Sequence, residues 1–153
     1  MLEINDVYLY KDVLGLSSID PNVSSNYKLY EKVSYDNMLK IISHGNTLVQ
    51  YEAVKLAKEN NINIHILHYL NQSQETLISK VYNVQVTTFS LLDNDVYIDG
   101  YTDINKIENI LILKNIKYDY LLPCNGFIKI ATSYNNSLLI INTLHNLYLK
   151  GEL

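Results

Sequence analysis

The sequence has little of what disulfide, metal and redox sites are built from. Of its 153 residues, one is cysteine, none is tryptophan and only two are proline. The single cysteine, Cys124, cannot form an internal disulfide, and no cysteine and histidine cluster indicates a zinc site. We therefore expect no metal and no cofactor, and we interpret Cys124 as an inert thiol within an apolar strand.

Positive charge is scarce as well. All twelve basic residues are lysine, none is arginine, and 16 acidic residues give a net charge of -4. Proteins that bind nucleic acid need a basic face, and arginine provides bidentate phosphate contacts, so we expect no nucleic-acid partner. No apolar run approaches eighteen residues, and no basic segment precedes an apolar stretch at the start. We therefore expect no membrane partner and a cytoplasmic location.

What remains is the composition of a folded chain. Hydrophobic residues make up 48% of it and charged residues 18%. A chain of this length and composition forms one ordinary domain or two very small ones.

The first half predicts strands and helices in alternation. Residues 6–12 read as a buried strand, and residues 15–33 as a loop. Ser34 is placed to cap a helix, and a second helix follows Gly45 and stops at Asn60 and Asn61. The apolar faces expected for the two helices are Tyr35, Met38, Leu39 and Ile42 for the first, and Val49, Ala53, Leu56 and Ala57 for the second. Alternating isoleucines over residues 62–66 predict a strand.

The pattern changes beyond a polar stretch at residues 70–75, and we place a domain boundary near residue 80. Residues 84–89 and 96–98 read as strands, with a turn at residues 93–95. Thr102 or Asp103 then caps a helix. Strands over 118–122 and 127–131 flank an Asn-Gly hairpin signal, and Ser137 opens a final helix. Strand, strand, helix, strand, strand, helix in about seventy residues predicts a small sheet with two helices on one face.

The segment from Lys11 to Asn22 resembles the Thr-Asp-Val-Asp-Gly-Ile-Tyr-Thr-Ala-Asp-Pro-Arg pattern of the aspartokinases. The similarity continues in the same order through residues 29–38, 45–66 and 75–78. Residues 81–153 resemble, in element order and size, the ACT regulatory module of that family. The resemblance implies a mixed α/β fold: a truncated amino acid kinase segment at residues 1–80, from the nucleotide-binding end of that domain, and a ferredoxin-like ACT-type domain at 81–153.

The resemblance places the remnant of a nucleotide site on Lys11, Asp12, Ser17, Asn22 and Thr47. Ser17 stands where the family has tyrosine, Asn22 where it has arginine, and Thr47 where it has lysine. Each change removes a stacking surface or a positive charge, and residues 1–10 do not match the family's Lys-Phe-Gly-Gly phosphate motif. Phosphoryl transfer depends on positioning and charge neutralisation. We therefore expect no catalytic residue, no autonomous kinase activity and poor ATP binding.

The resemblance implies a second candidate site, for an amino acid effector such as lysine or threonine. By position it is the loop Gly100-Tyr101-Thr102-Asp103. The N-H groups at the following helix start favour a carboxylate, and Asp103 would hold an ammonium group. The alternative is that Thr102 and Asp103 only cap that helix.

Other polar residues are interpreted as structural. His65 and His68 are separated by an odd number along a strand, which sends their side chains to opposite faces. Asp93, Asp95 and Asp99 lack the glycine and terminal glutamate of an EF-hand, so we predict a solvated turn. The carboxylates of Asp12 and Asp20 are expected to make loop hydrogen bonds.

These observations favour a non-catalytic, aspartokinase-related regulatory protein. It would form a homodimer through the ACT-like domain, because two helices cover only one face of that sheet, and it would pair with a full-length aspartate kinase. Two alternatives stay open. In the first, the chain is the small subunit of an active aspartate kinase assembly whose catalytic groups come from a longer chain. In the second, it is a free-standing amino acid sensor.

Overall fold

The computed structural model describes residues 4–80, 84–133 and 135–153. The elements in chain order are β1 (Asp6–Lys11), β2 (Leu16–Ser17), β3 (Leu29–Tyr30), β4 (Lys32–Ser34), α1 (Tyr35–Ser43), α2 (Tyr51–Asn60), β5 (Asn63–His68), β6 (Glu75–Ser79), β7 (Thr88–Leu92), β8 (Asp95–Asp99), α3 (Ile104–Leu113), β9 (Tyr120–Cys124), β10 (Phe127–Ala131) and α4 (Ser137–Leu149). The mixed α/β fold class expected from the sequence is confirmed.

Two compact units make up the chain. The first unit comprises Met1–Ser17 and Leu29–Val86, and the second comprises Ser18–Lys28 and Thr87–Leu153. The domain boundary predicted at residues 80 and 81 adjoins residues 81–83, which lie outside the described residues. The identity of each half as a kinase remnant and an ACT-like domain stays a prediction.

The first unit contains a four-stranded sheet in the order β1-β5-β6-β4. β1 is parallel to β5 and β4 is parallel to β6, whereas β5 and β6 are antiparallel. Ile64, Ile66 and Ile78 point from the two central strands into the core, where α1 and α2 cover them. The strand predicted from the alternating isoleucines is therefore confirmed.

The burial predicted for the strand at residues 6–12 is wrong. β1 forms, but Val7, Tyr8 and Tyr10 are 38%, 56% and 55% exposed. Among the strands that the structure describes, β1 lies at the edge of this sheet, next to β5. An apolar and aromatic run at an edge strand keeps one flank open to solvent, which its composition alone does not reveal.

The stretch at residues 15–33 is also more ordered than the predicted loop. β2 and β3 pair in antiparallel fashion, with Leu16 opposite Tyr30 and Ser17 opposite Leu29, and β4 follows directly. The chain thus leaves the first unit after Ser17 and rejoins it at Leu29.

Helix α1 begins as predicted, because the Ser34 side chain accepts a hydrogen bond from the Asn37 N-H. Helix α2 ends at Asn60 and is capped by Asn61, which adopts the left-handed conformation at φ 55°. The apolar face predicted for α2 is confirmed for Val49 and Ala57, which are buried, and wrong for Leu56 and Ala53, which are exposed. Val54 is buried in their place.

The second unit contains an antiparallel sheet in the order β7-β8-β10-β9. From β7 its elements follow the predicted strand, strand, helix, strand, strand, helix order. This order is one strand out of phase with the β-α-β-β-α-β order of ferredoxin-like folds, because β7 comes before the first helix instead of after the second. The core between the sheet and the helices α3 and α4 includes Phe89, Ile98, Ile128 and Leu144.

Two further features of the second unit bear on the sequence predictions. Asp93 and Asn94 have φ values of 51° and 71°, which confirms the turn between β7 and β8. Cys124, predicted to lie in the core, is exposed, because it ends the edge strand β9 just before the Asn125-Gly126 turn. In the part of the chain that the structure describes, no helix is long and apolar enough to span a membrane.

Candidate functional site

The five predicted nucleotide-site residues do not lie in one unit. Lys11 ends β1, Asp12 is exposed in the bend that follows, Ser17 is buried in β2, and Thr47 is exposed between α1 and α2. These four belong to the first unit, whereas Asn22 belongs to the second. Their role in nucleotide binding stays a prediction.

The turn that contains Asn22 is held by Asp20. One carboxylate oxygen of Asp20 accepts a hydrogen bond from the Asn22 N-H at 2.8 Å, and its carbonyl oxygen accepts from the Val23 N-H at 2.8 Å. The loop hydrogen bonding predicted for Asp20 is therefore confirmed. The Asn22 side chain is exposed and uncharged, so the turn itself presents no cation to a phosphate group.

Gly15 and Thr76 shape the loop after β1. The Thr76 hydroxyl accepts a hydrogen bond from the Leu16 N-H at 2.9 Å and donates one to the Tyr30 carbonyl at 2.7 Å. Gly15 has φ +129°, and a Cβ placed there would lie 2.4 Å from the Thr76 hydroxyl oxygen. Only glycine allows both this backbone angle and this close approach. The loop is therefore fixed by its own contacts.

A cavity of about 400 Å³ adjoins this loop within the first unit. Its lining mixes apolar groups with one lysine and two glutamates: Leu14, Leu29, Tyr30, Glu31, Lys32, Ser73, Gln74, Glu75, Thr76 and Leu77. Such a lining places opposite charges close together and contains no pair of cations that would neutralise a triphosphate.

The predicted effector loop precedes α3 in the second unit. Gly100 has φ +73°, and its N-H donates to the Gly126 carbonyl at 2.8 Å. The Asp103 side chain accepts a hydrogen bond from the Lys106 N-H at 3.0 Å, so Asp103 caps the helix as the alternative interpretation stated. The cap places a carboxylate where an effector carboxylate would need free N-H groups. Tyr101 is half-buried, and this burial, followed by the charge of Asp103, raises the pKa of Tyr101.

A charged cluster on the sheet of the first unit was not predicted from the sequence. One ring nitrogen of His65, Nδ1, lies 2.5 Å from Glu75 Oε1, and the other, Nε2, lies 3.0 Å from Asp6 Oδ1. Asn63 donates to the same Asp6 oxygen at 2.9 Å, and Tyr8 stacks on the imidazole with ring centroids 4.5 Å apart. The cluster thus joins the strands β1, β5 and β6.

The cluster favours a protonated His65. Burial alone would lower the pKa of His65, but its hydrogen bonds to Asp6 and then Glu75 outweigh that cost and raise the pKa. The same hydrogen bond to His65, with that from Asn63, lowers the pKa of Asp6. Both ring nitrogens face carboxylates, so an imidazolium that donates to both satisfies the cluster. Among the residues that the structure describes, no group of three or more histidine, cysteine, aspartate and glutamate side chains has the geometry of a metal site.

Comparisons with known proteins relate residues 1–68 to the amino acid kinases. The amino acid kinase family model matches residues 1–68. The aspartate kinase of Pseudomonas fluorescens (strain SBW25) is 31% identical over 78 residues, which are 51% of this chain and 19% of that protein. The aspartokinase of Helicobacter pylori (strain ATCC 700392 / 26695) is 31% identical over 70 residues, 46% of this chain and 17% of that protein. The chain therefore spans less than a fifth of the curated relatives it matches.

Solved structures extend the likeness in fold to nearly the whole chain. Escherichia coli aspartokinase III, in its complex with aspartate and ADP, aligns with 94% of this chain at a TM-score of 0.55 and 19% identity, over 36% of its own length. Clostridium acetobutylicum aspartate kinase aligns with 95% of this chain at a TM-score of 0.50 and 19% identity, over 35% of its length. The first part of this chain is therefore similar in sequence to amino acid kinases, and the relatives in sequence and in fold named above are aspartokinases.

Proposed function

We propose that this chain is a non-catalytic, aspartokinase-related regulatory protein that binds ATP poorly and does not phosphorylate aspartate alone. One observation carries the proposal: the positions that the resemblance assigns to nucleotide hold Ser17, Asn22 and Thr47, where the family pattern has tyrosine, arginine and lysine. Asn22 and Thr47 are exposed, so these two changes alter what a ligand meets without altering the core.

The physical argument is electrostatic. A bound triphosphate carries several negative charges, and its transfer requires cations fixed around it. The sequence contains no arginine, and of the five positions that the resemblance assigns to nucleotide only Lys11 is basic. A likeness in fold supports a regulatory role for the chain, because Clostridium acetobutylicum aspartate kinase, which it resembles in fold, is an allosteric enzyme.

Nucleotide binding and turnover test the proposal together. A thermal-shift panel with Mg-ATP, aspartate, lysine and threonine is run on the purified chain and on its N22R/T47K variant, with Pseudomonas fluorescens aspartate kinase as the positive control. We expect no shift with Mg-ATP for the parent chain and no ADP release with aspartate. Turnover by the parent chain would contradict the proposal, and a shift only in the variant would support the electrostatic argument directly.

A homodimer through the second unit is part of the proposal, and it would use the open face of the sheet rather than an edge. At one edge, the Phe89 N-H of β7 already donates to the Ser18 carbonyl at 2.7 Å. At the other, Pro123 in β9 has no N-H for a further strand. On the open face, Tyr120 and Leu122 are 50% and 43% exposed.

Light scattering at micromolar concentration tests this dimer. We expect the mass of a dimer for the parent chain and of a monomer for Leu122→Asp, because an added carboxylate is costly to bury at an interface, even opposite Lys129, which is already paired with Asp95. Leu113→Asp is the matched control, since Leu113 is 85% exposed at the end of α3, on the helical side. A monomeric parent chain, or an equal loss of the dimer in both variants, would count against dimerisation through the open face of the sheet.

A second candidate is a regulatory subunit that binds a full-length aspartate kinase. The exposed edge strand β1, with Tyr8 and Tyr10 turned to solvent, favours it because such strands pair readily with another chain. Co-purification with a kinase, and a change in that kinase's feedback inhibition on adding this chain, is the expected result. Absence of binding, or equal binding of a Tyr8→Lys/Tyr10→Lys variant, would argue against β1 as the contact.

A further inference from the structure

The segment Ser18–Lys28 lies between two strands of the first unit but belongs to the second unit. Its base is closed by two hydrogen bonds: the Ser18 N-H donates to the Lys28 carbonyl at 2.8 Å, and the Lys28 N-H donates to the Ser18 hydroxyl at 3.0 Å. The exposed Asp20-Pro21-Asn22 turn lies within this segment.

Backbone and apolar contacts join the segment to the second unit. Ile19 forms a parallel bridge with Phe89 of β7, and the Phe89 N-H donates to the Ser18 carbonyl. Ile19 is 1% exposed and belongs to the core of the second unit, against which Val23 and Tyr27 also pack. These contacts hold one flank of the segment along β7.

A buried side-chain pair completes the attachment. Ser18 Oγ lies 2.9 Å from His145 Nε2 of α4, and both residues are 0% exposed. Phe89 packs its ring edge-to-face against the imidazole, with centroids 5.2 Å apart. Among the described residues His145 Nδ1 has no hydrogen-bond partner, so Ser18 is the partner on which the buried imidazole depends.

The other hydrogen bond of Ser18 indicates which atom donates and which accepts between Ser18 and His145. The Ser18 oxygen already accepts from the Lys28 N-H, and its hydroxyl proton then has His145 Nε2 as its acceptor. A neutral imidazole with its proton on Nδ1 follows, and this tautomer leaves one group unpaired, the Nδ1-H. The opposite tautomer would leave two groups unpaired, the Ser18 hydroxyl proton and the Nδ1 lone pair, which is the costlier arrangement in a buried site.

We propose that Ser18 and His145 form a buried lock that fastens the Asp20-Pro21-Asn22 turn to helix α4, so that the position of this turn follows the second unit. Ser18 and His145 are positioning residues in this scheme. A change in α4 is transmitted to the turn through the hydrogen bond between Ser18 and His145, and a change in β7 through the bridge between Ile19 and Phe89. The lock is independent of whether the chain regulates a kinase, because it rests on contacts within the second unit alone.

Amide hydrogen exchange, resolved by peptide, tests the lock on the intact chain. Ser18→Ala and His145→Leu are expected to speed exchange in residues 19–28 tenfold or more, the effect of leaving a buried group unpaired. His145→Gln, which keeps an acceptor near the Nε2 position, is expected to stay within threefold of the parent. Ser25→Ala, an exposed serine of the same segment, is the matched control and is expected to change nothing. Equal exchange in Ser18→Ala and Ser25→Ala would overturn the proposal.

Two matched core variants test which unit governs the segment. Ile98 of β8 and Ile78 of β6 are both 0% exposed, in the second and first unit respectively. We expect Ile98→Ala, but not Ile78→Ala, to speed exchange in residues 19–28, and the reverse result would overturn the proposal.

A measurement on the unaltered protein tests the lock even if the His145 variants do not fold. Nitrogen-15 NMR spectra of its four histidines at pH 7 should contain one buried ring that is protonated only on Nδ1. An Nε2-protonated or doubly protonated His145 would refute the lock.

Discussion

Replacing Gly15 by alanine is expected to destabilise the first unit by far more than a surface glycine substitution. A φ of +129° is a region that residues with a side chain rarely adopt, and holding alanine there costs about 1–3 kcal/mol. The added Cβ would also lie 2.4 Å from the Thr76 hydroxyl oxygen. Thr76 is 1% exposed, and displacing it leaves the Leu16 N-H without its hydrogen bond, a further cost of about 1–3 kcal/mol. The two terms together give a loss of about 2–6 kcal/mol.

Urea unfolding followed by circular dichroism measures this loss, and peptide-resolved hydrogen exchange assigns it to the first unit. Gly151→Ala is the control, because Gly151 also has positive φ, at +72°, but has nothing within 4 Å of its Cβ position. It is expected to cost about 1 kcal/mol. A double-mutant cycle separates the two terms, since Thr76→Ala removes the atom that the new Cβ meets and the two losses should not add. Additive losses, or equal losses for Gly15→Ala and Gly151→Ala, would refute the argument from the close approach.

The two units are expected to respond to pH in opposite directions. The raised pKa of His65 means that its contribution to stability is complete below the ordinary value of about 6.5 and is lost as the pH rises through the folded-state pKa. Urea titrations should therefore give a lower free energy of unfolding for the first unit at pH 8 than at pH 6. The His65→Gln variant should not show this difference. Burial lowers the pKa of His145, so the second unit keeps its full stability above pH 6.5 and loses at most about 1.4 kcal/mol per pH unit below it. His145→Gln should flatten that dependence, and a slope of the same sign in both units would contradict this reasoning.

Local signals in the sequence predicted local structure well. Ser34 and Asp103 cap helices where a short polar side chain precedes an apolar pattern, because each side chain satisfies a backbone N-H of the first turn. Asn125 and Gly126 form the turn between β9 and β10, since Gly126 supplies the positive φ that a tight hairpin needs. These outcomes depend on a few adjacent residues, and a linear pattern contains all of them.

Features that depend on neighbours in space could not be predicted. Ala57 of helix α2 has two candidate apolar neighbours, Leu56 with Ala53 or Val54, and only packing against the sheet decides that Val54 is buried. The partners of His65 come from β1 and β6, which precede and follow it by 59 and 10 residues. Spacing along the chain relates His65 to His68, and it does not reveal Asp6 or Glu75 as its partners.

The proposed function requires that the shape of the two loops does not depend on a bound nucleotide. The turn at Asp20 and the loop at Gly15 are closed by hydrogen bonds within the chain, so neither needs a nucleotide to hold its form. Asn22 and Thr47 are exposed, and substitutions at such positions usually alter stability by less than about 0.5 kcal/mol. Introducing arginine and lysine at these positions should therefore leave the fold unchanged. A change in melting temperature on adding Mg-ATP to the N22R/T47K variant, or the lack of one, would then report the effect of the added charges and not a change in loop structure.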